Sequence, residues 1–324
     1  AFNEGMESPY YLRASVGIYV IHDPKEDLIS IQDYANVARK SAGESYHTSY
    51  RFYREQTRQR LLKEKKITNL MEKALDNHEF LVYLQPKVDV YSYKITGAEA
   101  LIRWNNPEKG MIYPNEFIPI FERNGFICRT DLYVFEETCR LLERWYKEDR
   151  ELFPLSVNVS RQHLKKTDFL DDFRRIFAKY DFPPELLELE LTESTILGNP
   201  AQFTDIINQI HQCGFRCSID DFGFGYSSLS ILKNFKVDAL KLDRSFFTDQ
   251  KHQSRGKAVI TSIVELSHKL GMETVAEGIE EPKQLEFLKE INCTKVQGYV
   301  FSKPLPIPEF ESFTFDGKQV KTCN

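Results

Sequence analysis

The sequence lacks the features that define several large protein classes. Its six cysteines are irregularly spaced and form no Cys-x-x-Cys pair, which argues against a zinc cluster and against a disulfide framework. Its seven histidines form no His-x-x-x-His pair, so the sequence carries no zinc-hydrolase motif. No apolar run is long enough to cross a bilayer, and no signal peptide opens the chain. Scattered thiols are typical of a reducing compartment, so we expect a cytoplasmic protein.

The chain also lacks an excess of basic residues. Its formal net charge is -5, with a pI near 5.9, which argues against duplex nucleic acid as a partner. The first residue is Ala1, which fits a fragment of a larger protein with a sensory or membrane region upstream. An apolar content of 41% and a charged content of 28% are ordinary for a globular domain.

From Phe80 onwards, short apolar strands alternate with amphipathic helices. This alternation extends over about 230 to 250 residues, which is the usual length of a (β/α)8 barrel. It therefore predicts an α/β fold of that type. The link between the first two strands is too short for a helix, so we expect the first strand to be antiparallel. The predicted strands are Leu81–Val88, Gly97–Arg103, Leu155–Val159, Leu186–Thr192, Phe215–Asp220, Val237–Leu242, Glu273–Ala276 and Lys295–Val300.

Two smaller segments precede the barrel. A strand over Leu12–Ile21 and a helix over Asp27–Ala42 predict a small α+β unit, which is too small to bury a core of its own. The charged stretch Phe52–Asn77 predicts a solvated linker helix. The alternative is a helix that forms a coiled-coil dimer. The predicted divisions are residues 1–54, linker 55–78, barrel 79–315 and tail 316–324.

Two adjacent carboxylates, Asp220 and Asp221, follow a short apolar run, and a glycine-punctuated loop comes next. Side chains alternate along a strand, so both carboxylates can bind one cation only at the frayed tip. Carboxylates this close repel each other unless a proton or a metal ion neutralises them. Because Mg²⁺ prefers carboxylate oxygens, the pair indicates a metal site. A strand end with an Asx-type turn is the alternative.

Polar residues also end the other predicted strands. In barrels of this type, the active site lies at the carboxyl ends of the strands. Alternation within Leu186–Thr192 turns Glu188 and Glu190 towards the barrel axis and the leucines between them towards the helices. Buried carboxylates must be paired or metal-bound, so a convergent set predicts a cation site. The strand-end set is Glu99, Asn158, Glu190, Asp220, Asp221, Lys241, Asp243, Glu277 and Gln297.

An ordered series of motifs between Phe80 and Pro308 resembles the EAL-domain cyclic di-GMP phosphodiesterases. The resemblance implies an eight-stranded barrel with an antiparallel first strand that hydrolyses cyclic di-GMP to linear pGpG with Mg²⁺ or Mn²⁺. The motifs are Gln85-Pro86, Glu99-Ala100-Leu101-Ile102-Arg103-Trp104, Asn158-Val159-Ser160, Glu190-Leu191-Thr192-Glu193, Asp220-Asp221-Phe222-Gly223, Lys241-Leu242-Asp243, Glu277-Gly278-Ile279-Glu280 and Gln297-Gly298-Tyr299.

The resemblance implies a two-metal site. It assigns Asp220 to both ions and Asp221 to the second. Glu277 is implied either as the general base or as a carboxylate of the second metal, and the sequence does not separate these roles. The implied ligands of the first ion are Glu99, Asn158, Glu190 and Asp220.

Other residues are implied in water, substrate and loop contacts. Lys241 orients the attacking water or neutralises phosphate charge, Asp243 supports Lys241, and Gln297 orders the water network. Arg103 can donate paired hydrogen bonds to a phosphate, with an inward salt bridge to Glu188 as the alternative. The remaining implied residues are Gln85 and Leu101 at the guanine end, and Glu193 at the loop after Asp221.

The resemblance has two departures. Phe224 stands where the family usually carries Thr or another small residue, and a phenyl ring cannot replace a hydroxyl hydrogen bond. Thr294 stands where Asp is usual. Neither is an implied ligand, so we expect activity, with a catalytically weak or inactive cyclic di-GMP receptor as the alternative. We also expect a homodimer through the barrel.

Residues 1–54 resemble the closing part of a GGDEF domain. The segment Leu12–Ile18 is similar to its late strand, and 33–43 to its final helix. The GGDEF signature itself is absent from this sequence, so we expect no cyclase activity.

Overall fold

The computed structural model describes residues 14–42, 49–166, 168–193, 200–223, 235–248 and 253–316. The chain divides into two compact units, Ala1–Lys73 and Ala74–Asn324. None of the helices among these described residues combines the length and the apolarity that a bilayer span requires.

The first unit contains two parallel strands, β1 (Ser15–Ile18) and β2 (Ser49–Phe52), with helix α1 (Leu28–Ser41) between them in sequence. Helix α1 begins after Asp27, whose carboxylate accepts hydrogen bonds from the backbone N–H groups of Ile29 and Ser30. This cap satisfies two donors that the first helical turn leaves unpaired. The predicted strand and helix are thus present, and β2 is a second strand whose position the sequence did not indicate.

Helix α2 (Glu55–Asp76) lies where the linker helix was predicted, and the division between the two units falls inside it. Its mean composition is strongly polar, as expected for a helix that carries charged residues on most of its surface.

The second unit is a closed barrel. Around the ring the strand order is β3, β11, β10, β9, β8, β7, β6 and β4, and β4 pairs back with β3. Every predicted barrel strand overlaps one of these. The strands of this unit are β3 Phe80–Asp89, β4 Ile95–Asn106, β5 Gly110–Ile112, β6 Leu155–Asn158, β7 Leu187–Thr192, β8 Arg216–Phe222, β9 Ala239–Leu242, β10 Glu273–Ala276, β11 Lys295–Val296 and β12 Leu305–Pro306.

Strand β3 runs antiparallel to both of its ring neighbours, β4 and β11, whereas the other ring pairs are parallel. The prediction of an antiparallel first strand is therefore confirmed. Strand β11 is shorter than predicted. A Cβ atom at Gly298 would lie 2.1 Å from the carbonyl oxygen of Ile279, so only glycine fits where the chain passes this backbone.

Helices cover the outside of the barrel. Their apolar sides and the outward leucines of the strands form one continuous buried cluster. Helix α3 begins with Pro114 and ends at Asn124, and Gly125 caps it with a left-handed φ of 80°. The helices of this unit are α3 Pro114–Asn124, α4 Ile127–Lys147, α5 Leu170–Phe177, α6 Pro200–Gln212, α7 Ser245–Thr248, α8 Gln253–Lys269, α9 Pro282–Glu290 and α10 Ile307–Phe315.

Candidate metal and phosphodiester site

Strand β7 presents its glutamates to the barrel interior, as its alternation predicted. Glu188 and Glu190 are 4% and 1% exposed, and both make ion pairs with lysines from other strands. The leucines between them belong to the apolar cluster under the helices. The strand therefore places charged groups on the axis, where only ion pairs or a cation can compensate for lost hydration.

Strand β8 becomes irregular where its two aspartates lie. Its pairing with β9 shifts register between Ile219 and Phe222, and Asp221 has a φ of 54°. A residue with a left-handed backbone conformation in an irregular strand changes the direction in which the neighbouring side chains point. As a result, carboxylate oxygens of Asp220 and Asp221 come within 4.8 Å of each other and of one from Glu277. The strand tip thus departs from strict alternation and holds both carboxylates on one side.

Glu99 accepts hydrogen bonds from two amides at the mouth of the barrel. Asn158 Nδ2 lies 2.7 Å from Glu99 Oε1, and Gln297 Nε2 lies 2.6 Å from Glu99 Oε2. Gln297 Nε2 also donates to Gln85 Oε1 at 3.1 Å. Four predicted site residues from four different strands or strand ends are therefore joined in one hydrogen-bonded row.

The ammonium group of Lys241 lies at the centre of the carboxylates. Its Nζ is 2.5 Å from Glu190 and 2.7 Å from Glu277, and the side chain is 1% exposed. It is also 3.1 Å from Asp220 and 3.4 Å from Glu99. One cation thus contacts four carboxylates, which makes it the main positive charge in this part of the barrel.

Two groups of carboxylates, which we call the first and second carboxylate groups, have the spacing needed to hold a cation. In the first, oxygens of Glu99, Glu190 and Asp220 all lie within 4.8 Å of one another. In the second, the same holds for Asp220, Asp221 and Glu277. Asp220 belongs to both. All the donors are hard oxygens, the kind that Mg²⁺ and Mn²⁺ bind, so the residues fit the predicted pair of divalent ions.

The pKa values of the buried carboxyl groups are shifted, upwards for Glu99, Asp220 and Glu277 and downwards for Glu190. Burial raises the pKa of Glu99, Asp220 and Glu277 above their ordinary values, although Lys241 partly offsets it. For Glu190, burial is outweighed by the attraction of Lys241 and Lys87, and the pKa falls to about 2. Without a metal ion, the site therefore favours binding protons at some carboxylates while Glu190 stays ionised.

We predict that the metal-free protein loses stability as the pH rises from about 5.5 upwards, above the ordinary carboxyl range, because carboxyl groups with a raised pKa bind more protons in the folded than in the unfolded state. Groups with a lowered pKa, such as Glu190, are ionised in both states throughout this range and contribute no slope. Thermal unfolding in EDTA at a series of pH values measures this dependence. Saturating Mn²⁺ should remove it, and Glu99→Gln should make it shallower. An unfolding midpoint that stays constant or rises in EDTA would contradict the prediction.

Two clefts adjoin at Leu101 and Asp220. One has a volume of about 240 Å³ and a polar lining. The other has a volume of about 280 Å³ and a mostly apolar lining that ends at the aspartates. The polar cleft includes Gln85, Glu99, Leu101, Asp220, Lys241, Arg244, Glu277, Glu280, Gln297 and Tyr299; the apolar cleft includes Leu101, Pro114, Phe117, Ile127, Val134, Asn158, Asp220 and Asp221.

Two other predicted residues have contacts that bear on their suggested roles. Arg103 donates to the backbone carbonyl of Ile102 at 2.8 Å, and its guanidinium lies over the ring of Tyr83. Glu188 is instead paired with Lys87 and Arg216, so the alternative of an Arg103–Glu188 salt bridge is not what the structure contains. Asp243 accepts a hydrogen bond from the Ser245 N–H, at the start of helix α7.

The loop after Asp221 begins with a contact from a predicted residue. Glu193 Oε2 accepts a hydrogen bond of 2.9 Å from the Gly223 N–H, at a glycine with a φ of 101°. Phe224 lies outside the described residues. Thr294 hydrogen-bonds with Thr274 between β10 and β11 and lines neither cleft, so this departure lies away from the site.

Sequence reasoning missed one interior cation. Lys87 lies in β3, two residues after Gln85, and its Nζ is 2.8 Å from Glu190 and 3.0 Å from Glu188. The available signal was the strand period, because residues two apart share a face and Gln85 was already assigned inward. Arg244, Glu280 and Tyr299, which line the polar cleft, were not assigned roles either.

Comparison with known proteins gives one family. The family described as "EAL domain" matches residues 69–304. The Pseudomonas aeruginosa protein named "Cyclic di-GMP phosphodiesterase NbdA" is 32% identical, over 93% of this chain and 39% of its own length. The Synechocystis protein "Uncharacterized protein sll1895" is 33% identical, over 98% of this chain and 45% of its own. The chain thus spans about two fifths of the length of such relatives.

A solved structure leads to the same family. The structure named "PaMucR Phosphodiesterase, c-di-GMP complex" superposes with a TM-score of 0.72 at 33% sequence identity. The superposition covers 76% of this chain and 99% of that one. This chain therefore contains a counterpart of nearly the whole of that solved chain.

Proposed function

Since the chain belongs to the EAL-domain family, we propose that it is a metal-dependent phosphodiesterase that hydrolyses cyclic di-GMP to linear pGpG. The observation that carries the proposal is the pair of carboxylate groups that share Asp220 at the mouth of the barrel. A phosphodiesterase that uses two ions needs such a shared ligand, because the ions must lie about 3.5–4 Å apart.

We propose that Glu99, Glu190 and Asp220, with Asn158 beside Glu99, hold one Mg²⁺ or Mn²⁺ ion. Asp220, Asp221 and Glu277 would hold the second. Bound ions would activate a water molecule and neutralise charge on the attacking and leaving oxygens. The buried Gln297 Oε1 has no hydrogen-bond partner among the described residues, as expected for an oxygen that faces water in the working site.

In this proposal Lys241 compensates for the charge of the carboxylates, and Glu277 takes the proton of the attacking water. Lys241 holds the carboxylates close together before substrate binds and lowers the cost of ionising them, because its ammonium group contacts four of them. Glu277 accepts the proton of the attacking water, a role that suits a carboxylate with a raised pKa. Gln297 orients the water from its position beside Glu99. Asp243 stabilises the turn that follows Lys241.

The two clefts support a ligand that has both phosphates and flat bases. We propose that the polar cleft receives a phosphodiester and that the apolar cleft receives a guanine. Leu101, which lines both, would contact the base, and Gln85 would reach the ligand from β3. Arg103 would donate to a phosphate by leaving its contact with the Ile102 carbonyl. Glu193 holds the loop beside Asp221 through Gly223.

We further propose that residues 1–54 are the closing part of a GGDEF domain and that residues 79–315 form the phosphodiesterase barrel. The parallel arrangement of β1 and β2 around α1 supports the first proposal. The free thiols of the described cysteines support a cytoplasmic location. A homodimer through the barrel is also proposed, and a monomeric mass in light scattering at micromolar concentration would argue against it.

Incubation of the protein with cyclic di-GMP and Mn²⁺ or Mg²⁺ is expected to yield pGpG, and EDTA is expected to stop the reaction. Chromatography of the nucleotides measures both results. Addition of excess Mn²⁺ after EDTA should restore turnover, which distinguishes metal removal from damage to the protein. Tight binding of cyclic di-GMP without any pGpG in the presence of either ion would establish the receptor instead and overturn the proposal.

A further inference from the structure

Lys87 is a buried cation that the proposed reaction does not use. It lies on β3 opposite Gly97 of β4 and is 4% exposed. The β3–β4 pairing shifts register directly after the lysine, because Lys87 is opposite Gly97 whereas Val88 is opposite Ile95. Burial of an ammonium group is costly unless partners compensate for its lost hydration, so its contacts identify what it serves.

The two oxygens of Glu190 are each bound by a different lysine. Lys87 Nζ lies 2.8 Å from Oε1, and Lys241 Nζ lies 2.5 Å from Oε2. Lys241 is shared with Glu99, Asp220 and Glu277, whereas Lys87 is shared only with Glu188 among its described ion pairs. Lys87 therefore binds the oxygen of Glu190 that Lys241 does not bind, and Oε2 is left to the lysine that Glu99 and Asp220 also contact.

Lys87 is itself supported from the opposite end of the barrel. Glu188 binds Lys87 through Oε1 at 3.0 Å, and its Oε2 lies 3.5 Å from Arg216 Nε. Arg216 in turn binds Glu273 at 2.8 Å, and Lys295 binds the same carboxylate at 2.9 Å. Charges of alternating sign thus extend from the starts of β8, β10 and β11 to Glu190. Each buried charge in this row has an oppositely charged neighbour, as a buried network requires.

We propose that Lys87 is a positioning residue for the first metal ion, which it serves by fixing the orientation of the Glu190 carboxylate. The inference rests on the proposed function, since it concerns a ligand of that site. Groups that orient a metal ligand from behind commonly contribute about 10–100-fold to metal affinity. Lys87 touches neither cleft, so its effect should appear in metal binding and leave the chemistry at saturating metal nearly unchanged.

The test compares Mn²⁺ binding by variants of the full chain. Binding is measured from the electron paramagnetic resonance signal of the Mn²⁺ that remains free. The decisive variant is Lys87→Met with Glu188→Gln, because it removes one positive and one negative charge together and keeps the net charge of the interior. Its dissociation constant for Mn²⁺ should rise about 10–100-fold. Lys87→Arg, which restores a cation, should recover most of the affinity. Lys179→Met with Glu136→Gln is the matched control, since it removes a lysine–glutamate pair of 2.8 Å that lies outside the row of charges leading to Glu190.

The outcomes separate this inference from the proposed function. If the unchanged protein neither binds Mn²⁺ nor produces pGpG, the proposed function fails. If it does both, and the double variant binds Mn²⁺ equally well, the inference alone is overturned. A lysine needed merely for the fold would make the double variant unfold, or would lower kcat even at saturating Mn²⁺; either result also counts against positioning. Support requires a folded variant with weakened Mn²⁺ binding, a recovered kcat at high Mn²⁺, and rescue by Lys87→Arg.

Discussion

Replacement of Glu99 by glutamine is expected to lower the rate of cyclic di-GMP hydrolysis roughly 10³-fold, which corresponds to about 4 kcal/mol of lost transition-state stabilisation. Glu99 belongs to the first carboxylate group, and its two oxygens face Asn158, Gln297 and Lys241. An amide in its place removes one anionic oxygen and one unit of negative charge from a site for divalent cations. The rate of pGpG formation at fixed Mn²⁺ measures the loss.

The glutamine variant should remain folded, which makes its loss of activity interpretable. Glutamine has the shape of glutamate, and the amides of Asn158 and Gln297 can each rotate to present an oxygen to a new N–H donor. One hydrogen bond in the row is then reversed and none needs to be lost. The thermal midpoint in EDTA should therefore stay close to that of the unchanged protein, and removal of a buried carboxyl with a raised pKa can even increase it at neutral pH.

Glu311→Gln is the matched control for this substitution. Glu311 lies on helix α10, where it pairs with Arg144 and accepts a hydrogen bond from the Trp145 indole N–H, and it lines neither cleft. Its replacement should leave hydrolysis nearly unchanged. If Glu99→Gln kept more than a tenth of the activity with the same Mn²⁺ dependence, Glu99 would not be a metal ligand.

Strand alternation was enough to predict which side chains point into the barrel on β7. Glu188 and Glu190 are inward and the intervening leucines are outward, because a strand with one apolar row has a single register that buries it. The short link after the first strand likewise predicted its antiparallel direction, since no helix fits there. In each case the deciding feature is local in sequence.

Features that depend on distant partners could not be predicted in the same way. Sequence indicated that Asp220 and Asp221 can share a cation only at a frayed strand tip, but the left-handed conformation of Asp221 and the register shift of β8 that bring them together depend on the neighbouring strand. Lys87 was missed because its partners lie about a hundred residues away in sequence. A single lysine in an apolar strand does not indicate which carboxylates it will contact. The sequence therefore predicted which strand face a side chain occupies, but not which residues of other strands it contacts there.

Replacement of Lys241 by methionine is expected to destabilise the metal-free protein by about 3–5 kcal/mol, since removing one member of a buried ion pair leaves its partners uncompensated. For a unit of this size, that loss lowers the thermal midpoint by roughly 6–20 °C. Lys241 is 1% exposed and contacts four carboxylates. Without it, Glu190 keeps its pair with Lys87, but Glu99, Asp220 and Glu277 lose the cation that they share. Thermal unfolding in EDTA measures the loss.

Divalent ions should close most of this stability gap, because they supply the positive charge that the variant lacks. Mn²⁺ is thus expected to raise the midpoint of Lys241→Met more than that of the unchanged protein. Hydrolysis should nevertheless stay at least about 100-fold lower at saturating Mn²⁺, the scale of a lost proton-transfer or charge-stabilising group. If turnover recovered fully, Lys241 would serve the metal-free fold alone.

Lys179→Met provides the contrast that tests whether burial is the cause. Lys179 makes an ion pair of 2.8 Å with Glu136, but its side chain is 54% exposed. Such surface pairs contribute about 0–1 kcal/mol, so the midpoint should hardly change, with or without Mn²⁺. Equal losses in both variants would mean that the lysine side chain, and not its buried charge, stabilises the barrel. A loss confined to Lys241→Met, and reversed by Mn²⁺, would mean that one ammonium group occupies the electrostatic role that metal ions take over in the working site.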